Sequence, residues 1–399
     1  MARPRKPKIR EQDLSGFSHF RLLLPILERL HGDACQRDRA GNRILHFDQY
    51  VALILLYFFN PIVTSLRGIQ QTSALAKVQR KLGCARASLG ALSEAARVFD
   101  ADLLRGIIGE LVEALPPIQK HTAFNEIRGV LTLVDGTLLP ALPKLVEAMW
   151  RDDAHRAFKL HTHFELLKLA PVRMDLTDGN ADEREVLEGA LEPDRVYVTD
   201  RGYAKFGLFR KILDAGSSFV CRIRDNSVFD VQEERPLTPA AAAAGLVRDV
   251  LVRFPGASAV EAGLADRPLR AVEVRCSPHR KRSGHTGRGG PEQGQTLLIA
   301  TDLRDVPGEV IALIYKHRWA IETFFRFFKH VLGCRHLLSH ATNGIEIQTY
   351  VAMIACLLIT LWTGRKPTLR TYEMICFYFT GLATEEELLA HIAKLAPQT

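Results

Sequence analysis

Tryptophan is scarce in this chain, with 3 in 399 residues, and cysteine is hardly commoner at 7. The cysteines (35, 84, 221, 276, 334, 356 and 376) are odd in number and scattered, and they form no CxxC pair, so neither a zinc centre nor a disulfide framework is indicated. Long apolar runs are also lacking. Val51 to Phe59 and Val351 to Trp362 fall short of the ~20 residues that cross a bilayer, and both read as buried helices. Arg21 and Glu28 interrupt FRLLLPILERL, so no signal-peptide core follows the charged N-terminus. No membrane association is expected, and the cytoplasm is the expected compartment. No internal repeat is present.

What the chain does have is a sizeable apolar content and excess basic charge. Apolar residues make up 47%, which excludes general disorder, and 53 Lys and Arg against 45 Asp and Glu give a net charge of +8. Such a balance favours polyanionic partners. The charge is concentrated in two places. Arg3, Arg5, Lys6, Lys8 and Arg10 lie in a ten-residue stretch without an acid, as in a DNA-contacting arm or a solubilising tail. Arg275 to Arg288 form a second, Gly- and Ser-punctuated basic loop, whose Cys276, His279 and His285 are too irregular for a metal site.

Periodicity divides the chain. Apolar positions at 3 and 4 spacing predict helices over Phe20 to Leu30, His46 to Phe59, Ser65 to Leu82 and Ser88 to Leu115, with Gly83 and the Pro116–Pro117 pair as stops. From about 127 the runs GVLTLVD, FKLHTHFELLKL, VRMDL, RVYVTD and SSFVCRIR predict strands, with helices at Asp182 to Leu191 and Lys205 to Ala215. A mixed sheet in an α/β layer domain follows. Residues 226–295 break the pattern with an Ala-rich stretch and alternating runs, and read as a β-rich insertion. QTLLIATDL then resumes the core, and the remainder to 399 reads as helical.

Two acids stand at the ends of predicted buried strands: Asp135 after GVLTLV and Asp200 after RVYVT. That is where mixed α/β sheets place their chemistry. A third, Glu322, lies in IYKHRWAIETFFRFFKHVLG. Asp305 and Pro307 suit a helix start and Gly333 its end, so the segment is expected to be one helix, on which Tyr315, Arg318, Glu322 and Lys329 share a stripe about 60° wide at about 100° per residue. Ile314, Ile321, Phe325, Phe328 and Leu332 form a core-facing ridge beside it, putting Glu322 at a cleft edge. The same spacing suits a surface helix laced by Arg318 and Glu322 at i,i+4. Three carboxylates would suit two Mg²⁺ or Mn²⁺ ions ~3.5–4 Å apart, an arrangement used for in-line phosphoryl displacement. Arg318 and Lys329 would then neutralise phosphates.

Asp135, Asp200 and Glu322, with Tyr-x2-Arg-x3-Glu-x6-Lys fulfilled at Tyr315, Arg318, Glu322 and Lys329, resemble the DDE transposases of bacterial insertion sequences, in the YREK-signature branch known as the insertion-sequence-four family. VDGTLL, VTDRGYAKFGLF and YKHRWAIETFFRFFKH are similar to that family's three catalytic blocks. The resemblance implies an RNase H-like, retroviral-integrase-like core over 127–225 and 296–340, carrying the β-rich insertion at 226–295. An all-α domain that binds DNA ends would precede it at 15–120 behind a basic arm at 1–14, and C-terminal helices would follow at 341–399. Asp135, Asp200 and Glu322 would be catalytic ligands of Mg²⁺, with Mn²⁺ able to substitute. Tyr315, Arg318 and Lys329 would hold backbone phosphates, and the arm (Arg3, Arg5, Lys6, Lys8) and the basic segment Ser65 to Leu82 would share in binding the terminal inverted repeats.

The implied activity is metal-dependent cleavage at transposon ends and strand transfer into target DNA, by a homodimer associated with the nucleoid. Two other readings use many of the same residues: a related nuclease without strand transfer, and an inactive DNA-binding repressor. The chain departs from the family in one respect. Its tryptophans are Trp150, Trp319 and Trp362, none within 226–295 where relatives stack a displaced base, leaving Phe229 or Phe254 for that task. Trp319 itself is expected to pack at the cleft lip. His155, His161 and His163 near Lys159 lack a further ligand at matching spacing, and Asp175 and Asp178 read as parts of a polar turn.

Overall fold

Nine strands join into one sheet, in the order β3-β2-β1-β4-β5-β9-β8-β7-β6, in the computed structural model of the chain. The described residues are 25–32, 43–119, 121–141, 156–275, 296–334 and 336–395. The arm residues Arg3, Arg5, Lys6 and Lys8, most of the basic loop after Arg275, Trp150 and His155 lie outside them. The strands are β1 (Val130–Ala141), β2 (Arg156–Glu165), β3 (Ala170–Asp178), β4 (Arg195–Thr199), β5 (Ser218–Arg222), β6 (Asp230–Glu234), β7 (Leu246–Arg253), β8 (Leu269–Arg275) and β9 (Thr296–Thr301). β1 pairs antiparallel with β2 and parallel with β4, and β4 pairs parallel with β5. The fold is therefore mixed α/β.

β1 runs further than expected. An Asp-Gly pair at 135–136 and Pro140 read as turn residues, yet β2 pairs with β1 from Thr132 to Ala141 and holds all of them extended. β4, by contrast, pairs with β1 only from Val130 to Leu133. Beyond Leu133 one side of β1 has no β4 partner, which leaves a notch in the sheet beside Asp135 and Gly136.

The chain between β5 and β9 is built onto the same sheet. β9 returns antiparallel to β5, and β8, β7 and β6 follow outward. Arg270 on β8 and Asp249 on β7 form a buried ion pair at 2.6 Å, and Arg270 Nη1 also donates to the carbonyls of Leu303, Arg304 and Val306, just before the Gly308–Lys316 helix. Gly308 is tied to this pair sterically, because a Cβ there would lie 2.8 Å from Asp249 Oδ2.

The helical segments before the sheet are shorter than their periodicity suggests. Ser65–Leu82 divides into Leu66–Ser73 and Ala76–Leu82, because the Thr72 and Ser73 hydroxyls donate back to the carbonyls of Gly68 and Gln70 and Leu75 is extended. Ser88–Leu115 divides into Leu89–Val98 and Leu103–Ala114 at Asp100, whose carboxylate accepts from the amide of Asp102. The Thr342–Thr363 helix packs among these helices and β3. At 22 residues it is long and apolar enough to cross a membrane, longer than the run Val351 to Trp362 suggests, because Ile345, Ile347 and Tyr350 extend the apolar surface. Of its most apolar window 83% is buried inside the protein, as befits a core helix that is apolar on all sides.

Two histidines of β2 are equally enclosed. Burial, with Lys159 nearby, lowers His161 to about 4, and burial, with Arg173 nearby, lowers His163 to about 3. Both are neutral in the folded chain, whereas unfolded histidines titrate near 6.5. Stability is therefore full above about pH 6.5 and falls as the pH drops below it, because the unfolded chain takes up protons that the folded chain refuses. Each histidine costs up to about 1.4 kcal/mol per pH unit in this window. The unfolding midpoint should drop between pH 7 and pH 5, and His163→Phe should flatten that slope; an unchanged slope would refute the burial argument.

Candidate active site

The parallel pairing of β1 with β4 ends at Leu133 and Val198, and Asp135 and Asp200 each lie two residues beyond that pair, near enough for Asp200 to raise the Asp135 carboxyl. Asp135 lies within β1, six residues before its end, rather than at the strand terminus expected. Its terminal position is relative to β4 alone. Asp200 directly follows β4, caps the turn Arg201–Tyr203 and accepts from Gly202 N at 2.7 Å. The Asp135 carboxylate accepts from Gly136 N at 2.8 Å.

Glu322 arrives from the segment that carries Tyr315, Arg318 and Lys329, which is not one regular helix. Gly308–Lys316 and Trp319–Arg326 are α-helical, with a tightened turn between them in which Ala320 N bonds to His317 O at 2.9 Å. Phe327–Val331 then widens into a π turn, with Leu332 N bonded to Phe327 O. Tight and wide turns change the angular positions in opposite senses, so the four residues still face one cleft. All five ridge residues are buried, and Phe324 and Phe327 are buried with them. That anchorage holds the polar side over β1.

Arg318 is the centre of the arrangement. Its guanidinium donates to Asp135 Oδ2 at 3.3 Å and to Glu322 Oε1, and its side chain is 10% exposed. The i,i+4 pair with Glu322 is thus no surface ladder. Lys329 Nζ donates to Thr137 Oγ1 at 2.9 Å, two residues along β1 from Asp135. Tyr315 is half-buried, and burial pushes its phenol up, with Arg318, Cys221, Arg222 and Asp200 nearby. Burial pushes the Asp135 carboxyl up to about 7; Arg318 opposes this and Asp200 adds to it.

Among the described residues no three Asp, Glu, His or Cys side chains converge at metal-binding spacing. The three expected acids are carboxylates, the oxygen ligands that hard cations take, and the Arg318 guanidinium sits between two of them, Asp135 and Glu322.

Other expected residues fare differently. Trp319 is 51% exposed, and its ring lies beside the Arg318 guanidinium at 5.6 Å. Phe254 is 3% exposed and packs against Phe206 and Phe229, so it is not available to stack on a base. Asp175 and Asp178 belong to β3 rather than to a turn, and Asp175 pairs with Arg105 and Arg173. Residue-by-residue reading gave no weight to Glu183, in the polar run DGNADERE, whose carboxylate lies against Gly136, the residue after Asp135.

Residues 128–358, which carry all of these groups, match the family model described as transposase DDE domain. The chain belongs to this DDE transposase family. It is 30% identical over 239 residues to y4zB of Sinorhizobium fredii, a protein that carries a transposase name, a match covering 59% of this chain and 62% of that one. A protein of Geobacillus stearothermophilus, named for a transposase of insertion sequence element IS5377, is 23% identical over 50% of this chain and 48% of its own. The DDE chain thus spans about half to three fifths of the length of these relatives. A solved piggyBac transposase synaptic complex with hairpin DNA aligns at a TM-score of 0.41 and 11% identity, covering 94% of this chain and 83% of that one.

Proposed function

We propose that the chain is a DNA transposase that nicks the ends of an insertion sequence and joins them to target DNA. The observation that carries this reading is the closeness of Asp135 and Asp200, each two residues beyond the last β1–β4 pair, with Arg318 bridging Asp135 to Glu322. Asp135, Asp200 and Glu322 would hold Mg²⁺, for which Mn²⁺ would substitute. When bound as a pair, such ions activate the attacking oxygen and stabilise the leaving one. In the first step water attacks a phosphodiester, freeing a 3′-hydroxyl and a 5′-phosphate. In the second that hydroxyl attacks a target phosphodiester and displaces a target 3′-hydroxyl.

The protein groups position the DNA for both steps. Arg318 is held by two carboxylates, so a phosphate oxygen brought to the cleft meets a guanidinium already oriented. Lys329, in the π turn, offers a second cation further along the same face. Tyr315, three residues before Arg318, would complete the YREK-type grip on the phosphate backbone. The order β3-β2-β1-β4-β5, antiparallel and then parallel, supports an RNase H-like core over 127–225 and 296–340, with 226–295 as its insertion. Residues 15–120 would bind the inverted repeats, and two copies would pair the ends at the nucleoid.

Incubating the protein with precleaved end DNA, a target plasmid and Mg²⁺ should give joined products. Nicking without joining would favour a nuclease, and end binding with neither would favour a repressor. Lys329→Met should weaken binding to all sequences alike and reduce the slope of log affinity against log salt by about 1. An unchanged slope would remove Lys329 from the phosphate contacts.

A further inference from the structure

One buried hydroxyl next to Asp135 is left unmet. Thr162 lies on β2 directly opposite Asp135 on β1, so the two side chains emerge on the same face of the sheet. Thr162 is 0% exposed, and its Oγ1 makes no hydrogen bond among the described residues. Other buried threonines of the sheet are satisfied: Thr132 Oγ1 donates to Val130 O at 3.0 Å, and Thr301 Oγ1 to Phe219 O at 2.6 Å. Valine would fill the same space without an unmet polar group, so packing alone does not call for threonine at 162.

The surroundings select what this hydroxyl can serve. Leu160 and Phe164 flank Thr162 along β2, Met174 stands opposite it on β3, and Asp135 stands opposite it on β1. Of these four side chains only Asp135 offers an oxygen. Thr137, two residues along β1 on the same face, already accepts from Lys329 Nζ at 2.9 Å. Phe324, on the helix that carries Glu322, packs against Phe164 with ring centroids 5.6 Å apart, so that helix closes over the same face. Directly opposed Cβ atoms of an antiparallel pair lie about 4.5–5.5 Å apart, so rotation about χ1 of Thr162 can bring Oγ1 within bonding distance of the carboxylate. Asp135 has room for such a donor. Its Oδ1 accepts from Gly136 N at 2.8 Å, whereas Oδ2 accepts only at 3.3 Å from Arg318, a guanidinium shared with Glu322. A DNA phosphate brought to Arg318 adds a third anionic acceptor and draws the guanidinium from this already long contact.

Resting on the transposase reading, we propose that Thr162 is a positioning residue of the active site: its hydroxyl turns to donate to Asp135 as Arg318 engages a DNA phosphate, and holds that carboxylate in its working orientation. A neutral donor fixes the carboxylate without bringing in another positive charge. In the free chain the hydroxyl waits unbonded, so its retention costs the fold stability and is repaid only with DNA in place.

The test combines three measurements on the full chain: single-turnover nicking at saturating end DNA in Mg²⁺, affinity for end DNA in chelator, and thermal unfolding in chelator. Thr162→Val should lower the nicking rate about 10-fold, within the range for groups that orient a functional carboxylate. Its affinity for end DNA should stay at the wild-type value, and it should melt above the wild type because the unmet hydroxyl is gone. Thr162→Ser, which restores the hydroxyl, should regain most of the rate. A hydroxyl needed only for the fold does not predict a slower enzyme that is also more stable. Wild-type nicking in Thr162→Val would overturn the role of Thr162 and leave the transposase reading intact, as would a lower melting point accompanying its loss of rate, or a Ser variant as slow as the Val one. No nicking by the unaltered chain would overturn the transposase reading and the role of Thr162 with it.

Discussion

Asp135→Asn, Asp200→Asn and Glu322→Gln are each expected to lower nicking of end DNA in Mg²⁺ by at least about 10³-fold, a loss of about 4 kcal/mol of transition-state stabilisation, while binding to the ends survives. An amide keeps the size of the carboxylate but removes the charge that a divalent cation requires. Asp135→Asn also carries a second expected result. Burial holds the Asp135 carboxyl at about 7, above its unfolded value, so its contribution to stability is greatest at low pH and is lost as pH rises through about 7. The Asn variant should therefore be more stable than the wild type at pH 8 in chelator. Loss of nicking with a gain in melting temperature separates a catalytic role from a folding defect. Retained nicking in all three variants would refute the proposed chemistry.

The largest expected effect on stability belongs to Arg270→Leu. Its guanidinium forms a fork with Asp249, with Nε at 2.8 Å and Nη2 at 2.6 Å, and both side chains are almost wholly buried. Removing the cation leaves Asp249 buried without its partner and three carbonyls of residues 303–306 without their donor, a cost of about 3–5 kcal/mol. The double variant Arg270→Leu with Asp249→Leu should regain much of this, because no uncompensated charge remains. Chemical denaturation of the single and double variants decides the matter: a double variant as unstable as the single one would mean that the carbonyl contacts, and not the buried charge, dominate.

Much of the site was legible in the sequence because its positions obey local rules. Ile314, Ile321, Phe325, Phe328 and Leu332 recur at helical spacing, and all are buried. Asp200 follows a β-branched run and does follow a strand. What was not legible depends on distant partners. The Asp135–Gly136 pair is a turn signal, and pairing with β2 carries β1 on through it to Ala141. The tight turn at His317 and the π turn at Phe327–Val331 have no Pro or Gly to announce them. The approach of Glu183 to Gly136 was not legible because the two lie 47 positions apart in the chain.

The route from β5 out to β6 and back to β9 has a bearing on how such a chain tolerates change. Departure and return are neighbouring strands, hydrogen-bonded at Val220–Thr301, Cys221–Ala300 and Arg222–Ile299, so the excursion begins and ends at one seam. Its outermost strand, β6, can be lengthened or trimmed without altering the distance the backbone must cover between Arg222 and Ile299. The acids on either side of the seam, Asp200 and Glu322, thereby keep their spacing whatever length of chain is inherited between them.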